Sequence, residues 1–303
     1  MIEILRSAWR TLTTADLAWV GAGVALYAAS LLAAGARWRL AVRAVGGEVE
    51  WPHASMATVA GVFVNNITPT GRLGGEACRI AVTRLRGTLS ITRGALASLC
   101  DRLSDVPAIL GLTLAGLPVL HEYVQGRVHA LLAIVMVILA VVLLFGRWLR
   151  FTARTALSSW HSELRDLPIS PGVVALGLGL SALIWAGDVL RLVAVGLAFD
   201  TRFSVPQATA LAVIALVASF APTIGGVGVV EGGLMGGLAL FGVPIENAIA
   251  ITTVERAISY GLSTVSGALI VFLLGGRSLL RATIPHKAAK APHLAPRGGE
   301  PPS

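Results

Sequence analysis

Four apolar runs, residues 17–36, 128–145, 173–199 and 248–274, approach the length of a membrane crossing, which takes about 20 helical residues. None shows the period-two alternation of a barrel strand, so helices are left as the way to satisfy their backbones in lipid. The chain of 303 residues is 55% hydrophobic and 13% charged, whereas soluble domains carry about 25% charged residues. The expected fold is all-α: a polytopic membrane helix bundle of about seven or eight spans over residues 1–280. Residues 281–303, rich in Pro, Lys, Ala and Gly, read as a disordered cytoplasmic tail. The first run leads into Arg37-Trp38-Arg39 with no signal-peptide cleavage site, and reads as a retained helix.

The net charge of +8 comes mostly from Arg. In a membrane chain this is a topological signal, with basic loops held on the cytoplasmic side and some attraction to anionic lipid. A nucleic-acid partner is not expected, because no basic soluble domain exists to hold one. Stretches 72–93, 147–165 and 277–297 read as cytoplasmic, and loops 121–127, 200–206 and 231–247 as external. Arg37, Arg39 and Arg43 conflict with simple alternation. Either they lie outside, or residues 54–70 enter and leave by the cytoplasmic face. Residues 147–167 carry Leu157, Trp160, Leu164 and Leu167 on one helical face beside several Arg, the pattern of an interfacial helix. Cys78 and Cys100 lack metal-ligand spacing and read as buried free thiols.

Two segments interrupt the apolar tracts in the same way. "PTGRLGGE" (residues 69–76) and "PTIGGVGVVE" (residues 222–231) each run from Pro-Thr through glycines to a Glu. Gly87 and Gly242 stand at equal distance beyond. Each half then enters an apolar helix bearing an acid-Arg dipeptide, Asp101-Arg102 and Glu255-Arg256. Glu76 precedes Arg102 by 26 positions and Glu231 precedes Arg256 by 25. Matching order, type and spacing mark a duplicated unit, with landmarks over 54–120 and 207–274. Transporters built from such repeats bring interrupted helices together near the midplane. Pro and Gly break and turn the helix, and irregular backbone at that depth requires surrounding protein or a water-filled cavity. Broken or re-entrant helices lining a polar cleft are therefore expected.

Asp101, Arg102, Asp105, Asp188, Arg191, Glu255 and Arg256 lie within apolar runs. Facing lipid, they would together cost roughly 20 kcal/mol, so they must pair or meet water. Arg102 with Asp105, and Asp188 with Arg191, have pairing distance along one helix. Each pair alone is explained equally well as glue between helices. The repeat favours function for Glu76, Arg102, Glu231 and Arg256, whereas Asp188 and Arg191 show no counterpart in the other half. Arg37 is expected outside the cleft. No metal constellation, nucleophile elbow or P-loop is present in the sequence, so neither a cofactor nor enzymatic chemistry is expected.

At these residues the chain resembles a known family. "NNITPTGRLGGEACR", "CDRLSD", "APTIGGVGVVEGG" and "VERAISY", with "RWRLAV" after the first run, are similar to signatures of the transmembrane lysylphosphatidylglycerol synthase/flippase-like family. The likeness extends over about residues 5–280. That family includes the membrane half of the bacterial multiple peptide resistance factor, which moves aminoacylated phosphatidylglycerol between leaflets. The soluble aminoacyl-transferase domain has no counterpart here, so the resemblance implies lipid handling without lipid aminoacylation. It implies a multi-pass protein of the bacterial inner membrane.

The leading expectation is a lipid translocase whose substrate is a phospholipid or glycolipid. Its cleft would take a phosphate-bearing headgroup, with Arg102 and Arg256, and Arg79 or Arg191, as anion partners, since the guanidinium fork suits phosphate. Glu76 and Glu231 would orient those Arg or meet a cationic group, and Asp188 completes the candidate set. The alternatives are an accessory subunit presenting a lipid-linked sugar or polyprenyl phosphate to a glycosyltransferase, and a membrane scaffold. A lipid-modifying enzyme or a second copy of the chain are partners that these readings leave open.

Overall fold

A computed structural model describes residues 2–69, 73–123, 170–219, 221 and 223–275. The span expected at 128–145, the interfacial helix at 147–167 and the tail at 281–303 lie outside the described residues. The described chain is a bundle of helices with no strand among the described residues.

Among the described residues, ten α-helices follow in order. A short α1 (Ile2–Thr13) precedes α2 (Leu17–Ala44), which Asp16 opens by accepting the Ala18 amide at 2.8 Å. Then come α3 (Trp51–Ile67), α4 (Leu73–Arg86) and α5 (Ile91–Tyr123). The second half begins with α6 (Pro171–Leu197), capped by Ser170 with Pro at its first position. It continues with α7 (Val205–Ala218), a 3-10 turn at Ile224–Gly226, and α8 (Val229–Leu240). α9 (Ile245–Arg256) passes through a π-helical turn (Ala257–Leu262) into α10 (Ser263–Leu273). Among the described residues, three helices are long and apolar enough to cross a membrane: Leu17–Ala44, Pro171–Leu197 and the continuous Ile245–Leu273. Large apolar side chains face outward while intramembrane charges turn inward among two apolar core clusters: Phe272 is 80% exposed, while Asp101 is 1% exposed.

The helices α3, α4, α7 and α8 have 17, 14, 14 and 12 residues, short of the roughly 20 needed to cross. They form two hairpins. In the first, His53 contacts the Val82 carbonyl near one end, and the Gly75 amide donates to Asn65 near the other. In the second, Leu211 lies against Gly237 and Ala218 against Gly233. The feet of each hairpin are tied together. Glu48 and Thr88 pair as an isolated backbone bridge, and Asn247 donates to Thr201 Oγ1 at 3.1 Å. Each hairpin thus enters and leaves by one face. That resolves the conflict over Arg37–Arg43: the chain does not cross between α3 and α4.

The two halves are inverted copies. α2 and α6, the first long helix of each, run antiparallel, with Gly23 beside Val195, Ser30 beside Gly187 and Leu40 beside Gly177. The approach is close because the partners are small. A Cβ on Gly187 would stand 2.4 Å from Ser30 Oγ. The halves also exchange contacts reciprocally, α5 packing on α7 and α10 on α3.

Candidate functional site

The charged residues form two networks, one per half. In the first, the buried Asp101 accepts from Arg37 Nε at 2.8 Å and from Arg79 Nη1 at 2.9 Å. Arg37 also grips both oxygens of Asp105 and donates to Ser181 of α6 at 2.7 Å. Glu76 accepts from Arg102, from Arg79 and, at 2.8 Å, from Ser98. The Arg79 guanidinium lies 3.9 Å from the centroid of the Trp38 ring. Arg102 and Asp105, spaced to pair along α5, stand 3.9 Å apart; the closer partner of Arg102 is Glu76.

In the second network Arg191 donates to Asp188 at 2.5 Å and to Glu255 at 3.0 Å. Arg256 donates to Glu231 at 2.7 Å and to the Gly225 carbonyl at 3.0 Å. Glu231 turns its other oxygen to the Gly228 amide at 2.6 Å, holding the first turn of α8 where a helix N-terminus favours an anion. Tyr27 lies over Arg191 and Tyr260 over Arg256, at 5.0 and 4.9 Å.

The networks correspond. Arg37 meets Asp101 across 64 positions, and Arg191 meets Glu255 across the same 64. Two expectations are corrected here. Arg191 does have a counterpart, and it is Arg37. Arg37 is not a bystander, since it is 6% exposed and bonded to two aspartates. The 64-residue spacing was the available signal, but it becomes informative only once α2 and α6 are known to be equivalent.

The hairpin tips meet inside the bundle. Asn66, at the end of α3, donates to Ser263 and Thr264 at 3.1 and 2.9 Å. Its carbonyl accepts from Tyr260 Oη at 3.3 Å. Gly225 sits in the same contact with φ of 60°. A Cβ there would lie 2.3 Å from the Tyr260 ring and 2.8 Å from the Asn66 carbonyl. This explains why the second interruption is built of glycine. Thr70, Gly71, Arg72 and Pro222 lie outside the described residues.

Beside the tips opens a cleft of about 260 Å³, lined by Asn65, Asn66, Asp188, Arg191, Glu255 and Arg256, among others. Both halves contribute to it. Of the residues singled out from sequence, Asp188, Arg191 and Arg256 line it, and Glu231 supports Arg256 from α8. Glu76, Arg79 and Arg102 instead join Arg37, Asp101 and Asp105 in the first network. Asn65, Asn66 and Trp185 are further lining residues, as is Glu255, which the sequence marked as an intramembrane charge but not as a binding residue. A π-helical turn directly follows Arg256, a distortion frequent at functional sites.

The chain is similar to a UPF0104 membrane protein of Methanothermobacter thermautotrophicus, 26% identical over 271 residues that cover 79% of this chain and 80% of the relative. A UPF0104 membrane protein of Pyrococcus horikoshii is 23% identical over 303 residues, covering 88% and 89%. The model of the family described as "Lysylphosphatidylglycerol synthase TM region" matches residues 4–267. With two inverted halves of membrane helices, paired intramembrane charges and a match over nearly its whole length, the chain belongs to the lysylphosphatidylglycerol synthase transmembrane-region family.

Proposed function

We propose that this protein is an integral membrane lipid translocase that passes a phospholipid or lipid-linked headgroup between leaflets, without enzymatic chemistry. The observation that carries this reading is the polar cleft at the meeting of two interrupted hairpins, with Arg191 and Arg256 on its wall. A phosphate leaving water needs a cation and hydrogen-bond donors, and two guanidinium groups supply both. The lipid tails would remain against the apolar exterior. Glu231 and Asp188 orient the two Arg. Glu76 and Arg102 would hold the corresponding place in the other half, toward the opposite leaflet, with Arg79 beside them.

The basic residues Arg43, Arg84, Arg86 and Arg93 lie on or beside the helix ends at the feet of the first hairpin, which supports reading that face as the cytoplasmic side of a cell inner membrane. The test is leaflet-specific labelling of lipid in vesicles containing the purified chain. Movement above protein-free vesicles supports the reading. Its absence, in a folded and inserted protein, favours an accessory or scaffolding role.

A further inference from the structure

The two networks are not equally balanced. In the first, Arg37, Arg79 and Arg102 meet Glu76, Asp101 and Asp105, and the charges cancel. In the second, Arg191 and Arg256 meet three acids, Asp188, Glu231 and Glu255. Among the described residues, one acid is in excess in this network.

The repeat register identifies its origin. The shift that carries Arg37 onto Arg191 carries Asp101 onto Glu255 and Asp105 onto Ser259. Arg79, three residues after Glu76, finds Leu234 three residues after Glu231. Asp188, three residues before Arg191, has Ala34 as its counterpart. Asp188 is therefore an acid that the second half alone carries.

Its surroundings leave it open to a ligand. The side chain is 28% exposed, against 6% for Glu255, and lines the cleft. One oxygen accepts from Arg191, and the other takes no hydrogen bond among the described residues. The groups around it are Arg191 on its own helix, Glu255 and Arg256 on α9, Glu231 beyond them on α8, Tyr27 on α2, and Asp105 on α5 through the Trp185 indole. The residues that α3 and α7 contribute to the cleft are uncharged. Arg191 is more than nine-tenths buried, lines the same cleft, and leaves its Nε without a partner. That nitrogen has no exposed surface, and the other two guanidinium nitrogens donate to Asp188 and Glu255, so Arg191 is held fixed beside the open oxygen of Asp188.

We propose that the cleft also binds one monovalent positive charge at Asp188. A net negative charge in a low-dielectric cleft is unfavourable, and a single cation cancels it. An alkali-metal ion, a proton and a headgroup ammonium share this chemistry. The proposal uses the same cleft as the translocation reading but does not depend on lipid movement.

The experiment is thermal unfolding of the full chain in a neutral detergent at constant ionic strength. One arm replaces N-methylglucamine with Na+. A second varies pH. A third compares a short-chain phosphoethanolamine lipid with its phosphoglycerol analogue. Wild type should show a saturable rise of the midpoint in at least one arm. Asp188→Asn should lose that response while keeping or raising the basal midpoint, because the excess acid is gone. Glu50→Gln, at an exposed position with no side-chain cap bond, should retain the response. A rise with Na+ identifies a solute ion, a rise on acidification a proton, and a rise with phosphoethanolamine alone a headgroup ammonium. If no arm gives a response that depends on Asp188, or if Asp188→Asn lowers the basal midpoint as far as Asp105→Asn does, the proposal is overturned. In that case Asp188 is only the structural partner of Arg191. A positive result here with no lipid movement in vesicles would remove the translocation reading and leave the cation site.

Discussion

Tyr260 donates its hydroxyl to the carbonyl of Asn66 at 3.3 Å, across 194 positions of sequence. This bond joins the tip of one hairpin to the π-helical turn of the other half, at the edge of the cleft.

The contact leaves no room at Gly225. Gly225→Ala would place a Cβ against the Tyr260 ring and require an L side chain at φ of 60°. We expect a loss of about 1–3 kcal/mol in stability from the backbone alone, read as a lower thermal midpoint in detergent. Tyr260→Phe should lose only about 0.5–1.5 kcal/mol, one hydrogen bond. Gly236→Ala, in open space on α8, should be neutral or gain up to about 1 kcal/mol in helix propensity. Equal midpoints for the Gly225 and Gly236 variants would contradict the tip-to-tip contact.

Arg37 supports the first network. Arg37→Ala leaves the buried Asp105 with only the Trp185 indole and the more distant Arg102, and removes one of two Arg partners from Asp101. The expected loss is about 3–5 kcal/mol, with lowered expression. Adding Asp105→Asn should recover part of it, since the stranded charge is then gone. A wild-type midpoint for Arg37→Ala would return that residue to the periphery.

The translocase reading gives Arg256 the headgroup phosphate. A charged hydrogen bond is worth about 1.5–3 kcal/mol, so Arg256→Ala should slow leaflet exchange by roughly 10- to 100-fold in a protein that still inserts. Arg256→Lys should recover only part of the rate, because an ammonium cannot reproduce the fork now shared by Glu231 and Gly225. If the rate falls only in step with the midpoint, and Glu231→Gln restores both, Arg256 acts as glue between α8 and α9.

The inverted halves predict opposite labelling. In a background with Cys78 and Cys100 replaced by Ser, a cysteine at Thr88 should react with an impermeant thiol reagent from one face. A cysteine at Asp200 should react from the other. Thr88 belongs to the feet of the first hairpin and Asp200 to those of the second. Reaction of both from one side would remove the inverted arrangement.

The sequence by itself determined the membrane-spanning helices and the duplicated interruptions. Both follow from local physics. A run of apolar residues of crossing length has one favourable backbone in lipid, and Pro and Gly break it wherever they stand. Glu76 with Arg102, and Glu231 with Arg256, were legible for the same reason: intramembrane charges demand partners, and their spacing repeats. Only the tertiary structure decided which further Arg meets which acid. Asp101 has Arg102 and Asp105 close by in sequence, yet it pairs with Arg37 and Arg79. The cause is the packing of α2, α4 and α5, which brings three separate surfaces together, and sequence spacing within one helix carries no information about that. The place of Asp188 was settled in the same way. Its spacing from Arg191 announced a pair, but its exposure to the cleft, and the lack of an equivalent acid in the first half, emerge only when α2 is laid antiparallel to α6 and the two networks are compared residue by residue.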